Sequence, residues 1–431
     1  NGVYAPALQQ AVQWLAKARE VADNPAQAKN IDLLISYFTT GNLTTWDEFN
    51  VAWVKDVKSV FDYILGFIES YNDPLGRKAA FEGIIELQDL KASHRTEVLA
   101  ANAKWFEDNS PIDPKYKRDE VVGVTAKVVN VVQVSGDSYP AAPLGVNLPN
   151  SNWIRKVHGS KSVSLENIAL ARHQASLTSG VWEEFYLSTE VEQIKKNLWA
   201  ADNLHTDLHE AIGHASGKLA PGVGSEALKN YGGVIEETRA ELNALYFMAD
   251  PKIIELGLLP DSEAYKAEYV YYIRNGLMVQ MSRLNPGKNL EQTHMRGRQL
   301  ISAWAQELGK ANNTIEKKSI DGKTYFVIND FAKLREIFGT QLKEIQRIKS
   351  EGKFDDARDL IEKYGVQVNQ DIHKEVLARY QKLGIPPYAG FINPNLTPVF
   401  GGKGKIINIK ISYPRQYERQ MLDYGKKYSF L

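Results

Sequence analysis

The sequence predicts a mainly helical fold with a minor β component, which places it in the α+β class. Two long stretches, the first 110 residues and residues from about 164 to 310, carry apolar side chains at the spacing of amphipathic helices. Between them, residues 121–135 are dense in valine, which is typical of a strand. Further strand signals lie near the C-terminus, so the sheet structure is expected to be small and built from distant segments.

The N-terminal stretch is expected to fold as helices up to residues 109–111, where Asn-Ser-Pro closes it. An interruption is expected at residues 74–76, Pro-Leu-Gly. The apolar residues that show the helical spacing most clearly are Val51, Val54, Val57, Val60 and Phe61.

Turn and strand signals predict the remaining elements. Residues 139–152 are rich in Pro, Gly and Asn, which predicts a loop or an extended segment. Asp321-Gly322 separates two β-prone runs and is a strong hairpin signal. Helix is expected to continue to about Leu383, followed by a loop over residues 384–398 and a last strand at Ile406–Ser412.

The composition excludes several classes of protein. The chain has 431 residues, enough for two or three domains of roughly 150 residues each. Its 52 Lys+Arg and 52 Asp+Glu cancel, so no excess charge points to a nucleic-acid or membrane partner. No apolar run approaches the roughly 20 residues of a membrane span. Cysteine is absent, which excludes disulfides, thiolate metal sites and cysteine nucleophiles.

Three of the eight histidines, His205, His209 and His214, fall within ten residues. In the common zinc-protease helix two histidines lie four residues apart, and a Glu follows the first. Here Glu210 follows His209, but the second histidine lies five residues on, about 140° around an ideal helix. A one-residue π-bulge near Ile212-Gly213 would bring the two rings onto one face. The sequence therefore predicts a metal-binding helix with a local irregularity.

A catalytic zinc needs a third protein ligand, and a second acidic helix offers it. Glu237 and Glu241 are four residues apart and share a helix face. One of them can bind the metal while the other orients a histidine ligand. Glu210, next to the first ligand, is placed to act as the general base.

These motifs resemble the zinc signature of the dipeptidyl peptidase III family. Residues 209–214 match H-E-x-x-G-H, and residues 236–241 match E-E-x-R-A-E. Similar segments follow in the family's order from about Tyr4 to about Asn395, and they include residues 67–74 with 81–83, 143–150 and 293–298. The resemblance implies one Zn²⁺ per chain.

The resemblance also implies a role for individual residues. It makes His209, His214 and Glu237 the zinc ligands, with Glu236 and Glu241 behind them, and Glu210 the base. His294 and Tyr71 resemble the groups that hydrogen-bond the substrate carbonyl and its developing oxyanion. The residues that match peptide-binding positions are Glu69, Glu82, Asn147, Asn150, Arg155 and Arg298.

The expected organisation combines a helical zinc-binding lobe with part of a β-containing lobe across a peptide cleft. Residues 1–120 are expected to contribute helices to the cleft, 121–160 a peptide-binding strand and loop, 161–385 the catalytic lobe, and 386–431 a returning segment. The spacing of the zinc motifs resembles the bacterial branch. Family enzymes extend further at the N-terminus, so the chain is expected to be a truncated catalytic fragment that binds zinc but works slowly.

The function implied is release of dipeptides from the free N-terminus of oligopeptides, in the cytoplasm. In this interpretation Glu69, Asn147 and Asn150 hold the peptide's ammonium end and backbone. A zinc endopeptidase or an aminopeptidase would use the same metal chemistry with a different register. A peptide-binding scaffold without turnover would retain the same residues.

Overall fold

Helices dominate the described part of the chain, as the apolar periodicity predicts. The computed structural model describes residues 2–69, 73, 75, 77–121, 126–140, 142–385 and 390–428. The prediction of a mainly helical α+β fold is confirmed. None of the helices in these ranges combines the length and the apolar character that crossing a bilayer requires.

The helices and strands are numbered in chain order. The helices are α1 (Ala5–Arg19), α2 (Pro25–Thr40), α3 (Leu43–Lys55), α4 (Leu90–Ala101), α5 (Ala103–Asn109), α6 (Asn152–His158), α7 (Glu166–Leu177), α8 (Val181–Phe185), α9 (Ser188–Leu208), α10 (Gly232–Met248), α11 (Pro251–Glu255), α12 (Tyr265–Leu277), α13 (Thr293–Leu308), α14 (Phe331–Glu351), α15 (Phe354–Ile361), α16 (Gln370–Gln381) and α17 (Tyr417–Tyr428). The strands are β1 (Phe61–Phe67), β2 (Phe81–Gln88), β3 (Ala126–Gly136), β4 (Gly145–Leu148), β5 (Lys161–Leu165), β6 (Ile315–Ile320), β7 (Lys323–Ile328), β8 (Asn395–Phe400) and β9 (Ile406–Ser412).

The chain divides into two compact units. The first comprises residues 1–93, 127–172 and 387–431, and the second comprises residues 94–126 and 173–386. The first unit contains a five-stranded sheet in the order β1-β2-β3-β5-β4, with its core between the sheet and helices α1 to α3. The second unit is helical apart from the β6–β7 hairpin, and its core includes apolar residues of α9, α10, α12, α13 and α14.

The strand and hairpin signals identified three elements correctly. Residues 126–135 of the predicted strand lie in β3, while residues 122–125 fall outside the described ranges. The Asp321-Gly322 hairpin joins β6 to β7, and the last predicted strand coincides with β9.

The prediction of helix throughout the first 110 residues is wrong over residues 61–67 and 81–88, which form strands, whereas α4 and α5 confirm it for the later part. Asp56 ends α3 in a non-helical conformation, and its carboxylate accepts hydrogen bonds from the N–H and the hydroxyl of Ser59. The chain then enters β1, which pairs antiparallel with β2. The spacing of Val57, Val60 and Phe61 fits a helix, but this local turn and the pairing with β2 override it.

The β8–β9 hairpin of the first unit has one wholly apolar face. Directly opposed residues of an antiparallel pair share a face, and the pairs here are Leu396 with Ile411, Pro398 with Ile409 and Phe400 with Ile406. Every residue of both strands is exposed, and these aliphatic and aromatic side chains are 45–59% exposed. The apolar face of this hairpin is therefore open to solvent.

Candidate metal centre

A π-helical turn at residues His209–Gly213 extends α9; the first predicted ligand, His209, begins the turn, and the second, His214, directly follows it. The backbone N–H of His214 donates to the carbonyl of His209, five residues earlier, at 3.1 Å. The predicted one-residue bulge is thus confirmed. The wider turn brings the two rings together, with centroids 4.8 Å apart and planes at 84°.

The π turn lies directly against the backbone of α10. A β-carbon on Gly213 would be 2.7 Å from the Cα of Ala240 and 2.9 Å from its carbonyl oxygen. Only glycine permits this approach. Because Glu236, Glu237 and Glu241 are on α10, the close contact sets how near their carboxylates come to the histidines.

Glu237 completes a group of three potential metal ligands with His209 and His214. Its Oε2 lies 3.2 Å from Nε2 of His209 and 3.8 Å from Nε2 of His214. One ligand atom from each residue falls within 4.8 Å of the other two. Oε2 of Glu237 is buried and has no hydrogen-bond partner among the described residues. Two imidazole nitrogens and an unpartnered carboxylate oxygen fit the ligand set of a catalytic Zn²⁺.

Electrostatics favour the ionised form of this carboxylate. Burial opposes ionisation of Glu237, but the contact with His209 and the nearby rings of His214 and His294 outweigh it and lower its pKa. The pKa of His209 is raised. Burial alone would lower it, but the carboxylates of Glu237, Glu241 and Glu210 outweigh burial.

Each histidine has a carboxylate behind its other ring nitrogen. Nδ1 of His214 lies 2.8 Å from Oε1 of Glu236, and Nδ1 of His209 lies 3.9 Å from Oε1 of Glu241. These contacts leave Nε2 of both rings directed at Glu237. Carboxylates in this position orient metal-binding histidines and raise their basicity.

Glu210 and His294 lie at the edge of this centre. Glu210 follows His209 within the π turn and is partly exposed. His294 stands in the first turn of α13, with its side chain 49% exposed and its Nδ1 3.7 Å from Oε2 of Glu237. Tyr71, the other predicted oxyanion group, lies outside the described residues.

The structure places Arg298 beside the same centre, in the second unit. It donates to Oε1 of Gln280 at 3.2 Å, and its guanidinium lies 5.9 Å from the ring centroid of Tyr272. Burial opposes ionisation of Glu241 and raises its pKa, but His205, His209 and Arg298 outweigh burial and lower the pKa.

The other predicted substrate-binding residues lie together in the first unit. Nδ2 of Asn150 donates to Oε1 of Glu69 at 3.0 Å. Glu82 is buried, with Oε1 accepting the N–H of Glu69 and Oε2 accepting the hydroxyl of Ser138. Burial raises the pKa of Glu82, against these two hydrogen bonds.

Asn147 belongs to β4, the edge strand of the five-stranded sheet, and its Nδ2 donates to Oγ of Ser162 at 2.6 Å. Arg155 donates to the carbonyls of Asn147 and Pro149, each at 2.7 Å, and so fixes the backbone that follows the strand. A pocket of about 210 Å³ opens beside Asn150, between Trp46 and Phe67.

Comparison with known proteins identifies the family. The profile of peptidase family M49 matches residues 1–225 and 222–383, which together cover most of the chain. The chain belongs to peptidase family M49.

Proteins similar to this M49 chain include several that are named dipeptidyl peptidase 3. Dipeptidyl peptidase 3 of Homo sapiens is 27% identical over 405 residues, which cover 84% of this chain and 54% of the human protein. The structure of DPP III from Caldithrix abyssi matches with a TM-score of 0.71 and 24% identity, covering 88% of this chain and 69% of that chain. The structure of dipeptidyl-peptidase III from Corallococcus sp. strain EGB matches with a TM-score of 0.62 and 20% identity. The match covers 89% of this chain and 68% of that chain.

The resemblance to the dipeptidyl peptidase III family is thereby confirmed, and the solved structures show a shared fold. The chain spans about half the length of the curated relatives it matches.

Sequence reasoning assigned no role to Arg239 in the M49 motif. The side chain is fully buried, and it donates to the carbonyls of Gly213 and Ser216 at 2.6 and 2.7 Å and to Oε1 of Glu236 at 2.7 Å. It therefore ties the end of the π turn to the carboxylate that orients His214. Burial opposes ionisation of Glu236, but Arg239, His214 and Lys349 outweigh it and lower its pKa. The available signal was its position three residues after Glu236, a spacing that brings two side chains together on a helix.

Proposed function

We propose that this chain carries the zinc-dependent active centre of a peptidase that releases dipeptides from the free N-terminus of oligopeptides. The observation that carries the proposal is the convergence of His209, His214 and Glu237, with a carboxylate behind each histidine. The M49 relatives carry the name dipeptidyl peptidase 3, which supports the exopeptidase register.

The proposed zinc ligands are Nε2 of His209, Nε2 of His214 and Oε2 of Glu237. When bound there, Zn²⁺ supplies a Lewis acid that polarises the scissile carbonyl and lowers the pKa of a coordinated water to around 7. The protein holds the three ligand atoms in place through Glu236, Glu241 and the buried contact of Gly213 with α10.

Glu210 is the proposed general base. Its carboxylate takes one proton from the attacking water and transfers a proton to the nitrogen of the departing amine. The water oxygen first bonds to the carbonyl carbon, and the carbon–nitrogen bond then breaks as the amine nitrogen accepts the proton, so water is consumed and two peptides are released. A position directly after His209 in the π turn, at the partly exposed edge of the centre, suits this transfer.

His294 is proposed to hydrogen-bond the carbonyl oxygen as negative charge develops on it. Its half-exposed ring beside Glu237 leaves a face open to substrate. Tyr71 is proposed to contribute a second donor. Donors placed at a developing oxyanion stabilise the transition state more than the ground state.

In the first unit, Glu69 and Asn150 are proposed to bind the ammonium group at the N-terminus of the peptide. A carboxylate held by an amide donor offers a charge-assisted acceptor of fixed direction. Glu82 holds Glu69 in place by accepting a hydrogen bond from its backbone N–H. Asn147, on the edge strand β4, is proposed to bind peptide backbone by strand addition, with Arg155 fixing the strand end. Arg298 is proposed to contribute to substrate binding in the second unit.

Product analysis tests the function. The zinc-loaded chain is incubated with a tetrapeptide whose N-terminus is free and with the same peptide acetylated, and the products are identified by mass spectrometry. Two dipeptides from the free peptide and no cleavage of the acetylated one are expected. Release of single residues would indicate an aminopeptidase, and cleavage of the acetylated peptide an endopeptidase. Zinc binding without any hydrolysis would indicate a peptide-binding scaffold.

A further inference from the structure

His205, one helical turn before His209, is held between two carboxylates. Its Nε2 lies 2.8 Å from Oε2 of Glu241 on α10, and its Nδ1 lies 2.8 Å from Oε1 of Glu268 on α12. The ring is buried and stacks on Tyr272, with centroids 5.4 Å apart. Since both ring nitrogens face acceptors, both must donate hydrogen bonds. The ring therefore links three helices and is fixed from both sides.

Glu241 connects this ring to a proposed zinc ligand. One of its oxygens, Oε2, contacts His205, while the other, Oε1, lies 3.9 Å from Nδ1 of His209. His209 in turn directs Nε2 toward Glu237. The side chains thus form a chain of contacts from Glu268 through His205 and Glu241 to His209.

We propose that His205 is a positioning residue of the metal centre, which holds Glu241 so that this carboxylate fixes the orientation of His209. The inference rests on the proposed zinc centre. Without His205, Glu241 would keep the contact with His209 but lose its strongest restraint. It would also face the buried carboxylate of Glu268, whose Oε2 already has no hydrogen-bond partner in the described part of the chain.

The same residues invite a different interpretation, as a second metal site. Ligand atoms of His205, His209 and Glu241 lie within 4.8 Å of one another, and all three side chains are buried. However, both nitrogens of His205 are engaged by carboxylates at hydrogen-bond distance. A metal there would have to displace the contact with Glu241. The geometry therefore favours positioning over ligation.

Zinc affinity, measured by chelator competition on the full chain, is the main test. His205→Leu removes both donors and is expected to weaken zinc binding about 10- to 100-fold, the usual effect of losing an outer-shell partner. The absorption spectrum of the Co²⁺-loaded variant at saturating metal is expected to differ from that of the wild type, because the ligand geometry changes.

A rescue variant separates positioning from general stability. In His205→Gln with Glu268→Gln, an amide donor to Glu241 is kept and the opposing carboxylate is removed, so most of the lost affinity should return. His205→Gln alone should bind zinc more weakly than this double variant. If His205→Leu does not fold, the comparison between the single and the double variant tests the inference.

His373 is a matched control, since it is also a buried histidine of the second unit, 3.3 Å from the carbonyl of Leu284. His373→Leu should lower the unfolding midpoint without changing zinc affinity.

The outcomes are distinct. Wild-type zinc binding with unchanged affinity and Co²⁺ spectrum in His205→Leu would overturn the inference and leave the proposed function intact. Two metal ions in the wild type and one in His205→Leu would make His205 a ligand instead. No zinc on the wild-type chain would overturn the proposed centre and the inference together.

Discussion

A β-carbon on Gly213 would lie 2.7 Å from the Cα of Ala240, so the π turn and α10 meet at backbone distance. The proposed ligands stand on these two elements: His209 and His214 on and beside the turn, and Glu237 on the helix. The spacing between the elements is thus fixed by the absence of one side chain. This contact determines how closely the ligand atoms approach one another.

We expect Gly213→Ala to destabilise the protein by about 1–3 kcal/mol, the range for an overpacked core, and to weaken zinc binding. The atoms in the way belong to the Ala240 backbone, which cannot rotate aside. Urea unfolding and chelator competition measure the two effects. Gly233→Ala, on α10, is the control, because among the described atoms its β-carbon would meet only Cγ2 of Thr293, at 3.9 Å. Equal stability of Gly213→Ala and the wild type would contradict the packing argument.

His214→Ala should remove most of the bound zinc, since it eliminates one of three proposed ligands. Elemental analysis after dialysis measures the metal content. His94→Ala serves as the control, because this histidine is 74% exposed and belongs to the same unit. Stoichiometric zinc in the His214→Ala protein would refute the ligand assignment.

Glu210→Gln should keep zinc and lose turnover. The amide is nearly isosteric with the carboxylate but cannot accept a proton at neutral pH, and loss of a general base costs about 10²–10⁴-fold in rate. Hydrolysis of the free tetrapeptide and metal content are measured on the same sample. Glu192→Gln, which changes an exposed carboxylate on α9, should have the wild-type rate. A near-normal rate with zinc in place would assign the proton transfer to another group.

The buried carboxyl of Glu86 on β2 should make the stability of the protein depend on pH. Burial, together with the charge of Asp62, raises the pKa of Glu86 from 4.5 to about 8, against the opposing effect of Lys127 and Lys161. Neither oxygen of Glu86 has a hydrogen-bond partner within the ranges that the structure describes. Between these two pKa values the folded state retains a proton that the unfolded state releases. The free energy of unfolding should therefore fall as pH rises through this window, by at most about 1.4 kcal/mol per pH unit, and level off above it.

Glu86→Gln tests this dependence. The variant removes the titrating group, so its stability relative to the wild type should increase with pH between 4.5 and about 8. Urea unfolding at several pH values measures the difference. Glu48→Gln, at an exposed site in the same unit, should track the wild type throughout. A constant difference between Glu86→Gln and the wild type would show that Glu86 does not titrate in this range.

The sequence predicted the irregular helix better than it predicted the first sheet. Two histidines five positions apart, such as His209 and His214, cannot share a face of an ideal helix, so the π turn followed from helix geometry once both were taken to bind one metal ion. Strands β1 and β2 were missed because the valines before Phe61 repeat at helical intervals, while the turn at Asp56 and the cross-strand pairing that override them are tertiary features.

The partners behind the ligands were only partly predictable. Glu241 was expected from its spacing of four residues from Glu237, and Glu236 from the resemblance to the dipeptidyl peptidase III motif. His205 contacts Glu268, which is 63 residues away, and Arg239 reaches back 26 residues to Gly213. Such contacts depend on how three helices pack, which the periodicity of each helix does not specify.

The apolar face of the β8–β9 hairpin has a practical consequence for all of these measurements. An exposed hairpin with an apolar face, which pairs with no other strand in the described part of the chain, is a template for association between molecules. Preparations of this chain should scatter more light as they are concentrated, and apparent affinities and rates will then drift with protein concentration. Wild type and variants are best compared at one low concentration, where colloidal behaviour contributes equally to each.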